Sequence, residues 1–490
     1  MPLSKSQYLK ALQCHKRLWL AKFRPELAEP VSEAQQAIFD QGTLVGKVAQ
    51  GLFANGIEIA FTPDNFVGMI NETQALLEQH PNITIYEATF KFQDCFAMLD
   101  ILVKTPAGLE IYEVKSSTGA KDVYLEDLSF QVYILQSLGY PISKACLINI
   151  NNDYIFDGLE LNLEELFKIE DFTQELFIKA KHVPHLVSQM QNTLSSDEPH
   201  IDIGVHCSKP YKCEFTNYCW SHIPDVSVFS LSDARGKDWE LYKQGYIKLE
   251  DIPLNKSTRP QISSKHLQQI DCYLENKTHI NQNAIDNQLS QIQFPIAFLD
   301  FESFQDAIPR LKASKPFEQI PFQYSLHILE SPDGELMHYE FLAKADQDPR
   351  YDFISSLIRD LPKSGSIVVY NRSFEAGVLK KLACEVPEFE PEINQALERF
   401  FDLMLIFQRR DYYHPDMQGR YSIKNVLPAL IPELSYKDLA IGEGKAASRA
   451  FVKLRDQQDL SEKIRADLLA YCKLDTLAMV EIWKLLDTID

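Results

Sequence analysis

The 490-residue chain contains no apolar run of eighteen residues, the length a membrane-spanning helix requires. Its first twenty residues, MPLSKSQYLKALQCHKRLWL, carry no signal-peptide h-region, and the two absences together predict a cytoplasmic protein. A disulfide framework is also missing: the nine cysteines are odd in number and widely spread. None of them forms a Cys-x-x-Cys pair, so the double knuckle of structural zinc is not present. There is no internal repeat and no low-complexity tract. Positive charge is scarce, with 49 Lys and Arg against 69 Asp and Glu and a formal charge of −20. That balance argues against a protein that coats nucleic acid by bulk electrostatics. It leaves room for a local basic strip: residues 1–50 hold seven Lys and Arg against four acids, among them Lys5, Lys10, Lys16, Arg17, Lys22 and Arg24. A solvated helix face accounts for such a strip equally well.

Hydrophobic residues at 45% and charged residues at 24% describe a chain long enough for two or three domains with their own cores. The stretch Met98–Ser116, MLDILVKTPAGLEIYEVKS, reads as a β-hairpin. Asp100 ends one apolar run, a turn follows at Thr105 to Gly108, and the second strand carries Glu113 and Lys115 on one face. Two carboxylates and an ammonium then meet at one edge. Oxygen ligands of this kind hold Mg²⁺ or Mn²⁺ beside a phosphate, and the cation orients or deprotonates a water. The plain alternative is a hairpin acid beside an exposed Glu/Lys pair.

Before the hairpin, LSKSQYLKALQCHKRLWLAKF predicts an amphipathic helix with a Ser N-cap, bearing Leu9, Leu12, Leu18 and Cys14. A second helix is expected from about Glu33 to Ala54. Glu87 lies in the strand IYEATF ahead of the hairpin, where facing solvent is expected and help to the site through a water is the other reading. After the hairpin, the helix VYLEDLSFQVYILQSLGY carries Gln131. Farther on, HCSKPYKCEFTNYCW places Cys207, Cys213 and Cys219 at intervals of six.

An Asp, twelve residues, then Glu-Val-Lys resembles the PD-(D/E)XK nuclease superfamily, in particular its RecB-like branch. One early and three late cysteines resemble the iron–sulfur members of that branch, among them the CRISPR-associated adaptation nuclease and the AddB helicase-nuclease subunit. The resemblance covers most of residues 1–222 and implies a [4Fe–4S] cluster on Cys14, Cys207, Cys213 and Cys219, tying the ends of the domain together. It also implies catalytic roles for Asp100, Glu113, Lys115 and Gln131. Zinc or free thiols are the other readings of the cysteines. Two positions depart from the pattern: Gly46 stands where a metal-binding His is usual, and Leu135 where a Tyr is usual, with Tyr133 nearby.

Residues 223–290 read as a polar, helical connector with breaks at Gly236, Gly245, Pro253 and Pro260. Its Lys237, Lys243, Lys248, Lys256, Arg259 and Lys265 are those of a solvated linker or of a phosphate-contacting surface.

Residues 291–490 open on the strand PIAFLDFESF, which places Asp300 and Glu302 on one face and Phe301 in the core. Burying two acids side by side costs free energy unless a cation joins them. A hairpin about Ser331 to Gly334, a helix from Tyr351 and the strand SIVVYN continue a mixed α/β pattern like the ribonuclease H fold. Asn371, Phe374 and Glu375 follow, and a late helix carries Tyr471 and Asp475. Asp-x-Glu, Asn-x-x-Phe-acid and Tyr-x-x-x-Asp in this order resemble the DnaQ-like DEDD exonucleases, with Glu375 in place of the usual Asp. The resemblance implies two Mg²⁺ ions about 4 Å apart held by the acids, with Tyr471 orienting the attacking water. Asp402 in RFFDLMLIF fits a helix position near the site or, more plainly, an ordinary helix acid, and Tyr421 and Lys424 could meet the DNA, with surface packing the plainer role.

The sequence therefore predicts an α/β protein: a restriction-endonuclease-like PD-(D/E)XK domain with an iron–sulfur cluster, a helical connector, and a ribonuclease H-like exonuclease domain cutting 3′ to 5′. The expected partner is DNA, as single strands or strand ends, in repair, recombination or defence. RNA as the substrate, and a nucleic-acid-binding scaffold with a decayed first site, are the alternatives. Cys95, Cys146, Cys272, Cys384 and Cys472 read as core or near-core thiols.

Overall fold

The computed structural model describes residues 3–253, 260, 262–437, 439–456 and 461–489; Lys256 and Arg259 lie outside them. The chain forms two compact mixed α/β units, one of residues 1–222 with 306–317, the other of residues 223–305 with 318–490. Among the described residues no helix is long and apolar enough to cross a membrane.

The first unit is built on a mixed sheet of strands β1 (Leu3–Ser4), β2 (Ile57–Glu58), β3 (Ile83–Phe92), β4 (Cys95–Thr105), β5 (Gly108–Lys115), β6 (Ile142–Ile150) and β7 (Phe167–Asp171). The order runs β2-β3-β4-β5-β6-β7, and β1 lies beside β4. The β4–β5 turn ends on Gly108 at φ +131°, where a Cβ would fall 2.7 Å from the Pro141 carbonyl, so only glycine closes it. Leu109 and Ile111 on β5 face a core shared with Leu125, Leu128 and Leu135 of the Asp122–Ser137 helix. Alternation then carries Glu113 and Lys115 onto that same helix-covered face.

Two local features open this sheet where the acids sit. The β3–β4 ladder pairs Tyr86 with Ile101 and Ala88 with Leu99 but breaks between them, where Glu87 has φ +57° and stands opposite Asp100. On the other side of β4, pairing with β5 ends at Ile101, while β1 takes the same edge at Cys95 and Phe96. Asp100 thus lies in a fork between β1 and β5.

The expected first helix is two helices, Lys5–Gln13 and His15–Phe23, separated by Cys14 in extended backbone at φ −164°. Ser4 caps the first as expected, in a capping box with Gln7. The second predicted helix ends four residues early, at Gln50.

In the second unit a five-stranded sheet has the order β11-β10-β9-β12-β13. Its strands, with a separate two-stranded ribbon, are β8 (His279–Ile280), β9 (Ile296–Phe304), β10 (Ile320–Leu329), β11 (Leu336–Leu342), β12 (Ser366–Val369), β13 (Phe400–Asp402) and β14 (Tyr412–Tyr413). β9, β10 and β11 are antiparallel, while β12 runs parallel to β9 and β13. Along β9, Ala297, Leu299 and Phe301 join the core under the Arg350–Asp360 and Arg372–Glu385 helices. Ile296 and Phe298 join the opposite core with Trp483 of the Ser461–Asp487 helix. Asp300 and Glu302 continue that second face toward the same helix.

Residues 223–290 are more than a solvated linker. Val228, Leu231, Leu241, Leu249, Ile252 and Ile270 form a small apolar core of their own. The helices there are Lys237–Lys243, Ser264–Glu275 and Gln282–Leu289.

Candidate active sites

In the first unit Glu113 is 1% exposed and receives three side chains. Lys115 Nζ donates to its Oε1 at 2.5 Å, Gln131 Nε2 to its Oε2 at 2.7 Å, and Lys5 Nζ to both oxygens at 2.9 and 3.1 Å. Asp127 completes the group, accepting from Lys115 at 2.8 Å and Gln131 at 3.2 Å. Asp100 accepts from the Val114 amide at 2.8 Å and stands 3.9 Å from Lys5 Nζ. The structure brings Asp100, Glu113, Lys115 and Gln131 together. Sequence reasoning missed Asp127, although it lies four residues before Gln131 on one helix face. It also placed Lys5 only in a basic strip.

The charges explain the protonation of this group. Burial works against the Glu113 carboxylate, yet Lys115, Lys5 and the Gln131 amide hold its carboxyl well below the usual range. Desolvation and the Glu113 charge push Asp100 up to about 6, and burial with the Asp100 charge pushes Glu87 up to about 7. Glu87, at positive φ in the ladder break opposite Asp100, is half-buried and not the solvent-facing residue expected. Gly46 has open space where a Cβ would stand.

Removing Lys115 leaves three carboxylates against the single Lys5 ammonium. We expect Lys115→Met to cost about 3 kcal/mol in a urea titration without metal, because an uncompensated buried charge remains. Mn²⁺ should return part of that loss; a midpoint unchanged from the wild type would contradict it.

Cys14, Cys207, Cys213 and Cys219 line one cavity, with Lys16, Arg17, Leu20 and Phe215 around them. All four are free thiols. Burial and the neighbouring thiols push Cys14 and Cys219 up, and burial pushes Cys213 up to about 11. Four thiols around one cavity are a donor set that zinc or an iron–sulfur group could take. The extended backbone at Cys14, which ends one helix and starts the next, places this thiol among the three late cysteines.

In the second unit Asp300, Glu302 and Asp475 offer three carboxylate oxygens within 4.8 Å of one another, the tightest such set among the described residues. Glu375 is 2% exposed and its Oε2 has no hydrogen-bond partner. A buried, unpartnered acid oxygen is costly, and a cation relieves that cost. Asp402 is not a helix residue: it ends β13 and accepts from the amides of Asn371 at 3.2 Å and Arg372 at 3.0 Å. It so fixes the start of the helix that carries Glu375.

Tyr471 and Asp475 lie one turn apart on the Ser461–Asp487 helix. Lys424 Nζ donates to the Tyr471 oxygen at 2.8 Å and lies over its ring at 4.8 Å, so Lys424 belongs to this site and not to surface packing. The nearby Tyr421 carbonyl accepts from Tyr370 at 2.8 Å. Tyr436 donates to Asp475 Oδ1 at 2.6 Å. Cys472 is buried as expected, with its sulfur 3.8 Å from Asp300 Oδ2, while Cys384 is exposed and not the core or near-core thiol expected. A Cβ at Gly444 would come to 3.0 Å from Glu302 Oε2, which lets the Gly444–Asp456 helix start close to the acids.

Burial and the Asp475 charge push Glu302 up to about 8. Burial with Asp402 and Glu302 does the same to Glu375, and burial lifts Asp475 to about 6. Acids raised this way bind more protons folded than unfolded, so without metal the fold loses stability as pH rises from about 4.5 to 8. Melting in EDTA should therefore fall across this window. Added Mn²⁺ should raise the melting temperature most at the alkaline end, where no proton competes. An Mn²⁺ effect that is largest at pH 5 would contradict this.

Residues 297–422 match the model of a domain of unknown function, DUF2779. Over 236 residues the chain is 28% identical to the uncharacterized protein UU173 of Ureaplasma parvum serovar 3, across 43% of this chain and 34% of that protein. The chain thus aligns with about a third of its relative's length.

Proposed function

We propose that this protein is a metal-dependent nuclease with two active sites: a RecB-like PD-(D/E)XK site with a [4Fe–4S] cluster in the first unit, and a DnaQ-like DEDD exonuclease site in the second. The observation that carries the reading is the convergence of Asp300, Glu302 and Asp475 with the unpartnered Glu375 beside Tyr471 and Lys424. The sheet order of the second unit, with three antiparallel strands followed by two parallel ones, supports a ribonuclease H-like fold.

Asp300, Glu302, Glu375 and Asp475 would hold Mg²⁺ or Mn²⁺, which when bound supplies Lewis-acid stabilisation of the phosphate oxygens. The chain's own groups do the rest. Lys424 presents a positive charge to a phosphate and holds the Tyr471 oxygen, which leaves the phenol proton free to orient a water toward phosphorus. The water oxygen bonds to phosphorus as the bond to the 3′ oxygen of the preceding nucleotide breaks, and the proton the water gives up balances the one the leaving 3′ oxygen takes from solvent. In the first unit Asp100, Glu113 and Asp127 would hold the cation, and Lys115 is the ammonium beside it.

The substrate proposed is DNA. Matched single strands of DNA and RNA, labelled at the 5′ end and incubated with Mn²⁺, test this directly. A ladder shortening from the 3′ end on DNA supports the proposal, and clear preference for RNA replaces its substrate. Binding of DNA without any shortening supports the scaffold reading instead.

A further inference from the structure

Lys5 is unexplained by a metal-ligand reading of the first site, and its placement is built rather than incidental. It opens the helix that follows β1, at the fork where β5 leaves β4. Its ammonium reaches three carboxylates from three elements: Glu113 at 2.9 Å, Asp127 at 3.7 Å and Asp100 at 3.9 Å. Lys115 already contacts Glu113 and Asp127, so Lys5 is a second cation in one acid group.

The helix behind it is anchored on its face and at its far end. Tyr8 is fully buried and stacks on Phe130 at 4.6 Å. Gln13 Nε2 donates to the carbonyls of His206 at 2.6 Å and Tyr211 at 2.8 Å, and Lys10 pairs with Glu214 at 2.7 Å.

Resting on the reading of this group as a divalent-metal site, we propose that Lys5 is its resident counter-ion. Its ammonium fills the cation position among Asp100, Glu113 and Asp127 until Mg²⁺ or Mn²⁺ displaces it, and this competition sets the metal affinity of the site. Oxygen ligands approach Mg²⁺ at about 2.0–2.1 Å, closer than any ammonium contact, so the two cations cannot share the position. Once displaced, the arm lies beside the acids, where it can meet a phosphate.

The test uses the full-length chain, purified without oxygen and stripped with EDTA, carrying Asp300→Asn and Asp475→Asn to silence the second site. Mn²⁺ binding is measured by calorimetry and by the resonance signal of free Mn²⁺ in this background, with Lys5→Met, Lys5→Gln, Lys5→Arg and Glu113→Gln. We expect Lys5→Met and Lys5→Gln to bind Mn²⁺ at least tenfold more tightly than the background, while Lys5→Arg binds no more tightly and Glu113→Gln abolishes binding. A purely structural ion pair predicts the opposite sign, since its loss would loosen the site. Unchanged or weaker binding in a folded Lys5→Gln chain overturns the counter-ion role and leaves the metal reading standing. Absence of binding throughout, or binding indifferent to Glu113→Gln, overturns the metal reading and the proposal with it. Should Lys5→Met not fold, Lys5→Gln and Lys5→Arg decide alone.

Discussion

Asp300→Asn should abolish shortening of a single strand from its 3′ end, with a loss on the order of a thousandfold in rate. Outer-shell substitutions at metal sites cost about 10–100-fold, and Asp300 belongs to the innermost group. Its carboxylate is one of three within 4.8 Å, and it lies between Glu302 and the sulfur of Cys472. An amide in its place keeps the volume and removes the charge that would hold the cation. The same change relieves like-charge repulsion in the metal-free fold, where burial and the Asp475, Glu302 and Glu375 charges push the Asp300 carboxyl far up. The variant should therefore be at least as stable as the wild type in EDTA and lose the part of the Mn²⁺-dependent rise in melting temperature that the second unit contributes. A variant that melts early and is inactive would indicate mere misfolding. Unreduced exonuclease activity would remove Asp300 from the chemistry.

Cys213→Ser should bleach the protein. Anaerobically purified wild type is expected to absorb near 400 nm and carry iron, and the variant to lose most of both. The structural consequence follows from where the thiols sit, joining the start of the chain to residues 207–219. Around the cysteines the apolar contact is confined to a small cluster about Leu20, Cys213 and Phe215. Polar ties join the same segments: Arg17 holds Glu214 through Nε and Nη2, each at 2.7 Å, Lys16 pairs with Glu198 at 3.0 Å, and Gln13 and Lys10 reach His206, Tyr211 and Glu214. Structural metal sites of comparable ligand number contribute on the order of 10 kcal/mol to folding, more than a few half-buried ion pairs supply. Limited proteolysis should accordingly cut the Cys213→Ser chain between residues 195 and 222 well before the wild type. Stoichiometric zinc without iron in the wild type would replace the cluster by a different staple.

What could be read in advance follows the range of the interactions. Strand alternation put Glu113 with Lys115, and Asp300 with Glu302, before any tertiary contact was known, because two-residue periodicity is local. Tyr471 and Asp475 followed in the same way from one helical turn. Lys5 was not legible as part of the acid group, since it arrives across the sheet through β1, a pairing of two residues with no pattern of its own. The break at Cys14 carries no Gly or Pro to mark it, and the periodicity of Leu9, Leu12 and Leu18 runs across it. Asp402 was misplaced because RFFDLMLIF is an apolar run too short to separate strand from helix; the structure divides it between β13 and the Met404–Arg409 helix. The apolar core of residues 223–290 escaped notice because Val228, Leu241, Leu249 and Ile270 are spaced without a period.

The measurement that bears most directly on the account is the degradation of end-labelled single- and double-stranded DNA in Mg²⁺ and Mn²⁺ by four oxygen-free preparations: the wild type, Glu113→Gln, Asp300→Asn and the double variant. Two working nuclease sites predict that each single change removes a distinct set of products and that the double variant leaves the DNA intact. Equal degradation by all four would contradict the account, because neither acid group would then be the source of the cleavage.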